Sequence, residues 1–371
     1  PNRMNAQACC ILLGVPGPMT EFDPRRVRRA LVTKLRHHGD VLLASPVFTV
    51  LKRAAPEAEI DALVYADTAP MLAGHPALAR LHLVDRQWKR QGAAAQAAAE
   101  WGLLSALRER RYDLVVHLTE HPRGAWLARL TGAAHAVSVH RDGRFWRGSF
   151  SHLYRLVPRR HTVERNLDAL RRLGIPVREE DKPLVLVPGA QAEAVVDTLL
   201  AARNLAGRPF VHLHPASRWL FKCWPAEKVG ALADRLASRG LPVVLTAAPD
   251  PRELAIVEAV VAAANAPVID LAGQLGLKEL AALTARARLF VGVDSAPMHI
   301  AAAAGTPVVA LFGPSGESEW GPWRVPSRVV VSPDHPCRPC GQDGCAGSKV
   351  SDCLTALAVD RVYAACGELL D

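Results

Sequence analysis

Short apolar runs alternate with longer amphipathic stretches along most of this chain. Residues 30–35 (ALVTKL) are apolar on both faces and predict a buried strand, followed by a loop over 36–39 and a helix over 40–53. Further strands are predicted over 60–65, 81–84, 114–117 and 136–139, with a long helical pattern over 93–110. A helix over 162–173 (TVERNLDALRRL) stops at Gly174, with Pro176 behind it. The charged, proline-ended stretch 178–183 (REEDKP) is then expected to be a linker.

Beyond it the scheme repeats. Strands are predicted over 210–214, 243–246, 268–271, 289–293 and 308–312, and helices over 225–238, 251–264, 277–287 and 298–304. Strands alternating with helices of ten or so residues imply βαβ units and parallel sheets covered on both faces. The expected fold class is therefore α/β, with two Rossmann-like domains facing a central cleft and ligands at the carboxyl ends of the strands. The expected division is an N-terminal extension over 1–27, a first domain over 28–182 including the linker and a second over 183–350. A last helical segment over 351–371 could cross back to the first domain.

Composition narrows this picture. With 371 residues, half of them apolar, the chain can bury two cores, and disorder is excluded. The longest nearly uncharged stretch, 296–313, contains His299, two prolines and two glycines, so it predicts helix, turn and strand rather than a membrane span. The net charge of +9 is unevenly placed: residues 1–182 hold 29 basic and 18 acidic side chains, residues 183–371 hold 16 and 18. A basic first half calls for an anionic partner, whether nucleic acid, anionic membrane or acidic substrate. No helix-turn-helix, zinc-finger spacing or aromatic RNA-binding pattern supports nucleic acid.

Eight cysteines in so long a chain do not make a disulfide scaffold, and half of them cluster near its end. Cys337, Cys340, Cys345 and Cys353 could hold a structural zinc, although paired knuckles are missing; ordinary thiols are the alternative. Arg3 is the only early positive charge, and the apolar run 8–15 meets Pro16 and Pro18, which does not make an export signal. Met19 could be the natural start, and the expected location is cytoplasmic.

Four strand-to-helix loops carry candidate chemistry. In 34–46 (KLRHHGDVLLASP), Asp40 is either a helix cap or a general base, two roles that conflict because a carboxylate held by amides is a poorer base. In 213–225 (LHPASRWLFKCWP), Lys222 just before a helix start is either a solvated lysine or a phosphate contact, with Arg218 a second candidate. In 289–316 (LFVGVDSAPMHIAAAAGTPVVALFGPSG), the Ser295 hydroxyl and the free amides of a helix start could bind a diphosphate, with small residues allowing close approach. The alternative is an ordinary βαβ turn. In 246–253 (TAAPDPRE), Glu253 is either a ribose ligand or a first-turn glutamate favoured by the helix dipole.

Together these loops resemble glycosyltransferase family 9, the ADP-heptose:lipopolysaccharide heptosyltransferases, over residues 28–371. KLRHHGDVLLASPVFTVLK is similar to the family's N-terminal signature and VGVDSAPMHIAAAAGTPVVALFGPS to its donor-binding signature; CRPCGQDGCAGSKVSDCL resembles the heptosyltransferase III subgroup. The resemblance implies a GT-B fold and inverting, metal-independent transfer from ADP-L-glycero-D-manno-heptose, with no cofactor, to the inner core of lipopolysaccharide. It implies Asp40 as catalytic base, and donor contacts from Lys222, Arg218, Glu253, Asp294, Ser295, Ala296 and His299. Ser295 stands where the family often has threonine, which keeps the hydroxyl.

The implied acceptor is an anionic, lipid-linked core sugar at the inner leaflet. Arg36 and His38 beside Asp40, and Arg141, Arg144 and Arg147 interleaved with Phe145 and Trp146, are candidate contacts to it; an exposed basic loop is the alternative for the latter three. The enzyme would then be peripheral on the cytoplasmic face of the inner membrane. Heptosyltransferase I or II, acting on another acceptor, and a non-catalytic ADP-sugar binding module are the competing expectations.

Overall fold

The computed structural model describes residues 22–371; Cys9, Cys10, Met19 and most of the expected N-terminal extension lie outside the described residues. Two compact units meet in sequence at Lys182–Pro183.

The first unit is built on a parallel sheet of β1 (Arg29–Thr33), β2 (Glu59–Tyr65), β3 (Arg80–Val84), β4 (Leu114–His117), β5 (His135–Val139) and β6 (His152–Tyr154), in the order β3-β2-β1-β4-β5-β6. The central strands β1 and β4 are apolar on both faces because helices cover both, as parallel sheets require. Their register pairs Thr33 with His117, so both strands end at the same level.

The second unit repeats the design. Strands β7 (Val211–His214), β8 (Val243–Leu245), β9 (Ile269–Asp270), β10 (Leu289–Val293), β11 (Val308–Leu311) and β12 (Ser327–Val330) pair in the order β12-β11-β10-β7-β8-β9. Counted from its own first strand, this is the same winding as the first sheet. In each unit the strand order reverses once, between β1 and β4 and between β7 and β10. Such reversals splay the loops on either side and open a crevice at the carboxyl ends of the strands. The two doubly wound α/β units expected from the sequence are present.

Several details differ from the expectation. The helix expected over 40–53 is two helices, His38–Leu42 and Ser45–Ala54, because Pro46 cannot donate a backbone N–H and starts a new first turn. Strands β6 and β12 were not anticipated. The stretch 178–183, expected as the linker, contains the division between the two units and carries a 3-10 turn pinned to the first. Buried Asp181 accepts from Arg53 Nε at 2.7 Å, and Lys182 Nζ pairs with Glu164 at 2.8 Å. The last helix, Val359–Leu370, expected as a segment crossing back, buries Val362, Ala365, Cys366 and Leu370 in the second unit's own core.

Candidate functional site

In the first unit, β1 ends beside β4 at the strand-order reversal, and the chain then turns into the His38–Leu42 helix. Its cap position is His37, and no side chain caps it. Asp40 lies half-buried in the first turn, where the helix dipole favours a carboxylate. The capping role is therefore not the one Asp40 plays. His38 Nε2 donates to the Asp67 carbonyl at 3.0 Å, while Arg36 is exposed and its carbonyl accepts from Arg86.

Behind Asp40 stands a residue that the sequence reasoning did not single out. Lys34 is buried, and its Nζ donates to Leu118 O at 3.2 Å and to Asn166 Oδ1 at 2.9 Å; Asn166 in turn donates to Leu43 O at 3.0 Å. Burial pulls the Lys34 pKa down to about 8 against the opposing pull of Asp40. The network ties the end of β1 to the helix break at Leu43, and so fixes the short helix that carries Asp40. A lysine inside a strand pattern was the available signal.

Deeper still, His117 at the end of β4 shares a short hydrogen bond with Thr33 and has its pKa pushed down to about 3 by burial. Gly124, on the Arg123–Leu130 helix, lies directly against that imidazole, where no Cβ fits.

Arg141, Arg144 and Arg147 are exposed on and before the one-turn helix Arg144–Arg147. Arg141 Nη1 donates to Glu120 O at 2.8 Å. Trp146 is not displayed with them: it is buried, and its Nε1 donates to Val139 O at 2.9 Å.

In the second unit, the loop after β7 and the loop after β10 are neighbours because those strands pair in parallel, His214 opposite Gly292. This adjacency brings Lys222, on the 3-10 turn Leu220–Lys222, to Asp294: Nζ donates to Oδ2 at 2.5 Å. Ser295 occupies the cap position of the Ala296–Ala303 helix but makes no cap bond, and its Oγ donates instead to Val293 O at 3.3 Å. Pro297 in the first turn offers no N–H, and Ala296 is half-buried. The helix therefore presents an uncapped, positively polarised start with a lysine beside it, the arrangement that binds phosphates. His299 is buried one turn further on. Lys222, Asp294 and the Ser295–Ala296 helix start are thus one constellation.

Glu253 lies in the first turn of the Pro251–Ala263 helix, as one of the two expectations had it. Asp250 caps its helix, and Glu253 is buried, with Oε2 accepting from Ala248 N at 3.1 Å and its pKa raised by burial. One carboxylate oxygen is thereby tied to the loop after β8. Arg218 is exposed in the loop after β7, its guanidinium 5.7 Å over the Trp219 ring.

The sequence reading also missed a buried chain of polar groups under this loop. Thr246 Oγ1 bridges His212 Nε2 at 2.7 Å and His214 Nδ1 at 2.8 Å, and His212 Nδ1 meets Thr284 Oγ1 at 3.0 Å. Burial pushes His214 down to about 4, so both rings pack as neutral groups. The alternation HLH in a strand pattern was the signal.

The zinc expectation is not met by the geometry. Cys337 and Cys340 are exposed, Cys353 is buried, and among the described residues no group of three His, Cys, Asp or Glu is arranged to hold a metal ion. Instead the loop docks beside the end of β11: Arg338 Nε donates to Gly313 O at 2.6 Å and Gly341 N to Pro314 O at 2.9 Å. Among the described residues no helix is long and apolar enough to cross a membrane.

Residues 101–351 match the profile of glycosyltransferase family 9 (heptosyltransferase). The chain is 39% identical over 293 residues to lipopolysaccharide heptosyltransferase 3 of Escherichia coli, covering 78% of this chain and 84% of that one. Its fold is similar to that of the glycosyl transferase family 9 protein from Veillonella parvula DSM 2008, with a TM-score of 0.82, 24% identity and coverage of 94% and 99% of the two chains. It is also similar to E. coli heptosyltransferase WaaC with ADP, with a TM-score of 0.73, 22% identity and coverage of 92% and 99%.

Proposed function

The chain belongs to glycosyltransferase family 9, and from that premise we propose that it moves L-glycero-D-manno-heptose from ADP-heptose to the inner core of lipopolysaccharide, adding the branching heptose of the heptosyltransferase III type. The observation that carries the reading is the Lys222–Asp294 pair at the uncapped start of the Ala296–Ala303 helix.

The donor's diphosphate takes the helix start, with the Ser295–Ala296 amides, the Ser295 hydroxyl and Lys222 donating to its oxygens. Lys222 exchanges Asp294 for phosphate as it does so. Arg218 contributes from the same loop, Glu253 accepts from a ribose hydroxyl, and His299 supports the helix from beneath. Asp40 takes the proton of the acceptor hydroxyl while that oxygen forms a bond to the anomeric carbon and the bond from that carbon to the phosphate oxygen breaks. A single displacement of this kind inverts the anomeric configuration, and the negative charge that leaves with ADP is met by Lys222 and the helix.

Arg36, His38, Arg141, Arg144 and Arg147 engage the phosphorylated, lipid-linked acceptor, and the enzyme works at the cytoplasmic face of the inner membrane. The positive charge needed for the diphosphate comes from side chains and backbone, so no metal or other cofactor is invoked.

The test is turnover of ADP-heptose on a lipopolysaccharide core lacking its third heptose, with cores truncated at the first and second heptose as comparisons. Asp40→Asn is expected to keep ADP affinity and to lose roughly 10²- to 10⁴-fold in turnover. Undiminished turnover in that variant would remove Asp40 from the chemistry, and preference for a shorter core would reassign the acceptor.

A further inference from the structure

One face of the first unit carries large apolar side chains that belong to no core, and its rim includes Arg141, Arg144 and Arg147, the arginines assigned above to the acceptor. The Arg123–Leu130 helix, which follows β4, presents Trp126 and Leu130 to solvent one turn apart, with 55% and 38% of their surface exposed. Phe145, on the short helix after β5, stands against Trp126 with ring centroids 4.7 Å apart and is itself 42% exposed. The same segment buries Trp146 and Phe150 in the core, so its aromatic residues are sorted, some inward and some outward. Two large rings in mutual contact and open to solvent mark an interaction surface.

What rims the rings identifies the partner. Arg123 and Arg129 flank Trp126 on its own helix, Arg144 and Arg147 lie exposed on the one-turn helix that carries Phe145, and Arg141 lies just before it. Arg129 holds its guanidinium 4.8 Å over the Phe145 ring and donates to Ser149 Oγ at 2.7 Å, so it is already ordered. The acidic groups nearby are fewer: Glu100 pairs with Arg123, Glu120 accepts from Arg141 through its carbonyl, and Asp142 is exposed. Arg144 and Arg147 keep no acidic partner among the described residues. Aromatic rings ringed by arginines suit a boundary between apolar chains and phosphate headgroups, where the rings enter the headgroup level and the guanidinium forks hold lipid phosphates.

We propose that this face, with Trp126, Leu130 and Phe145 at its centre, docks the protein on an anionic lipid bilayer. Both helices leave the carboxyl end of the first sheet, the end that also carries Asp40, so a bilayer seated here brings a lipid-anchored sugar toward the catalytic carboxylate. The inference rests on the reading of a lipid-linked acceptor given above and adds the surface that finds it.

The experiment is co-sedimentation of the full chain with vesicles of phosphatidylcholine mixed with phosphatidylglycerol, against pure phosphatidylcholine. The wild-type chain is expected to bind only the anionic vesicles, less so at high salt. Trp126→Ser with Phe145→Ser should weaken that binding by about tenfold or more while leaving ADP affinity and heptose transfer to a delipidated core unchanged. Arg144→Gln with Arg147→Gln should weaken it and flatten its salt dependence. Absence of binding to anionic vesicles overturns the proposal, as does equal binding by the Trp126/Phe145 variant. So does a dimer in sedimentation velocity that this variant dissolves, because the rings would then meet a second copy. Vesicle binding without heptose transfer to any core would sink the transferase reading alone and leave the docking face standing.

Discussion

Replacing Lys222 with alanine tests the donor half of the site most directly, because the structure supplies both parts of the expected effect. The first is the loss of one charge-assisted hydrogen bond to the diphosphate, about 1.5–3 kcal/mol, or roughly a 10- to 150-fold weaker ADP complex. The second comes from what remains. Lys222 and Asp294 are 2.5 Å apart, and their side chains keep 20% and 9% of their exposure, so solvent screens Asp294 poorly once the lysine is gone. A bare carboxylate on the order of 5 Å from a phosphate charge, at an effective dielectric constant of about 20, repels it by up to about 3 kcal/mol.

Titration calorimetry with ADP should therefore show Lys222→Ala weakened by about two to three orders of magnitude. Adding Asp294→Asn to that variant should recover about tenfold or more, since it removes the repulsion without restoring the bond. If Lys222→Ala binds ADP within threefold of wild type, the diphosphate does not sit at this helix start. If the second substitution recovers nothing, Asp294 does not face the phosphates.

Two other expectations concern stability. Gly124→Ala would place its Cβ inside the His117 ring, which is buried and bonded to Thr33 on one side and to the Thr119 hydroxyl on the other. A loss of about 3 kcal/mol or more is expected as a lower thermal midpoint, and His117→Ser in the same chain should restore part of it. The buried imidazoles of His75, His117 and His214 have folded pKa values of about 4, 3 and 4, below the ordinary value near 6.5. The unfolded chain therefore binds protons first: these groups stabilise fully above about pH 6.5 and lose that contribution as pH falls toward 4. Each should cost about 1 kcal/mol at pH 5.5, read as a fall in the denaturant midpoint, and His214→Gln should flatten the dependence. A midpoint that does not move between pH 7 and pH 5 would contradict the burial of these rings.

The sheets were legible in the sequence where strands are buried on both faces. Leu114–His117 and Leu289–Val293 have the boundaries predicted from their apolar runs, because nothing polar competes with that signal. Two of the four edge strands gave no such signal: β6 is three residues long, and β12 (SRVV) leaves Arg328 and Val329 exposed at the rim of its sheet. The residues of the donor loops were legible, but not that Lys222 meets Asp294, since that contact spans 72 positions and depends on β7 lying beside β10. Local pattern reports whether a stretch is a strand, not which strand it pairs with. The same limit hid the pinning of Asp181 by Arg53 within the linker stretch, and the inward turn of Trp146, which made a structural ring look like a contact. Lys34 was passed over because a cation in an apolar run is legible only once its two acceptors, one from the backbone and one from a distant helix, are in place.

Neither sheet borrows a strand from the other, and each half shelters an oily interior of its own, so the joint at Lys182–Pro183 is a seam along which heredity can cut and splice. On the function proposed above, a lineage that meets an altered sugar chain could refashion the half bearing Asp40 while the half bearing Lys222 and Asp294 is inherited intact. Variation among such enzymes should therefore accumulate ahead of that seam and thin out behind it.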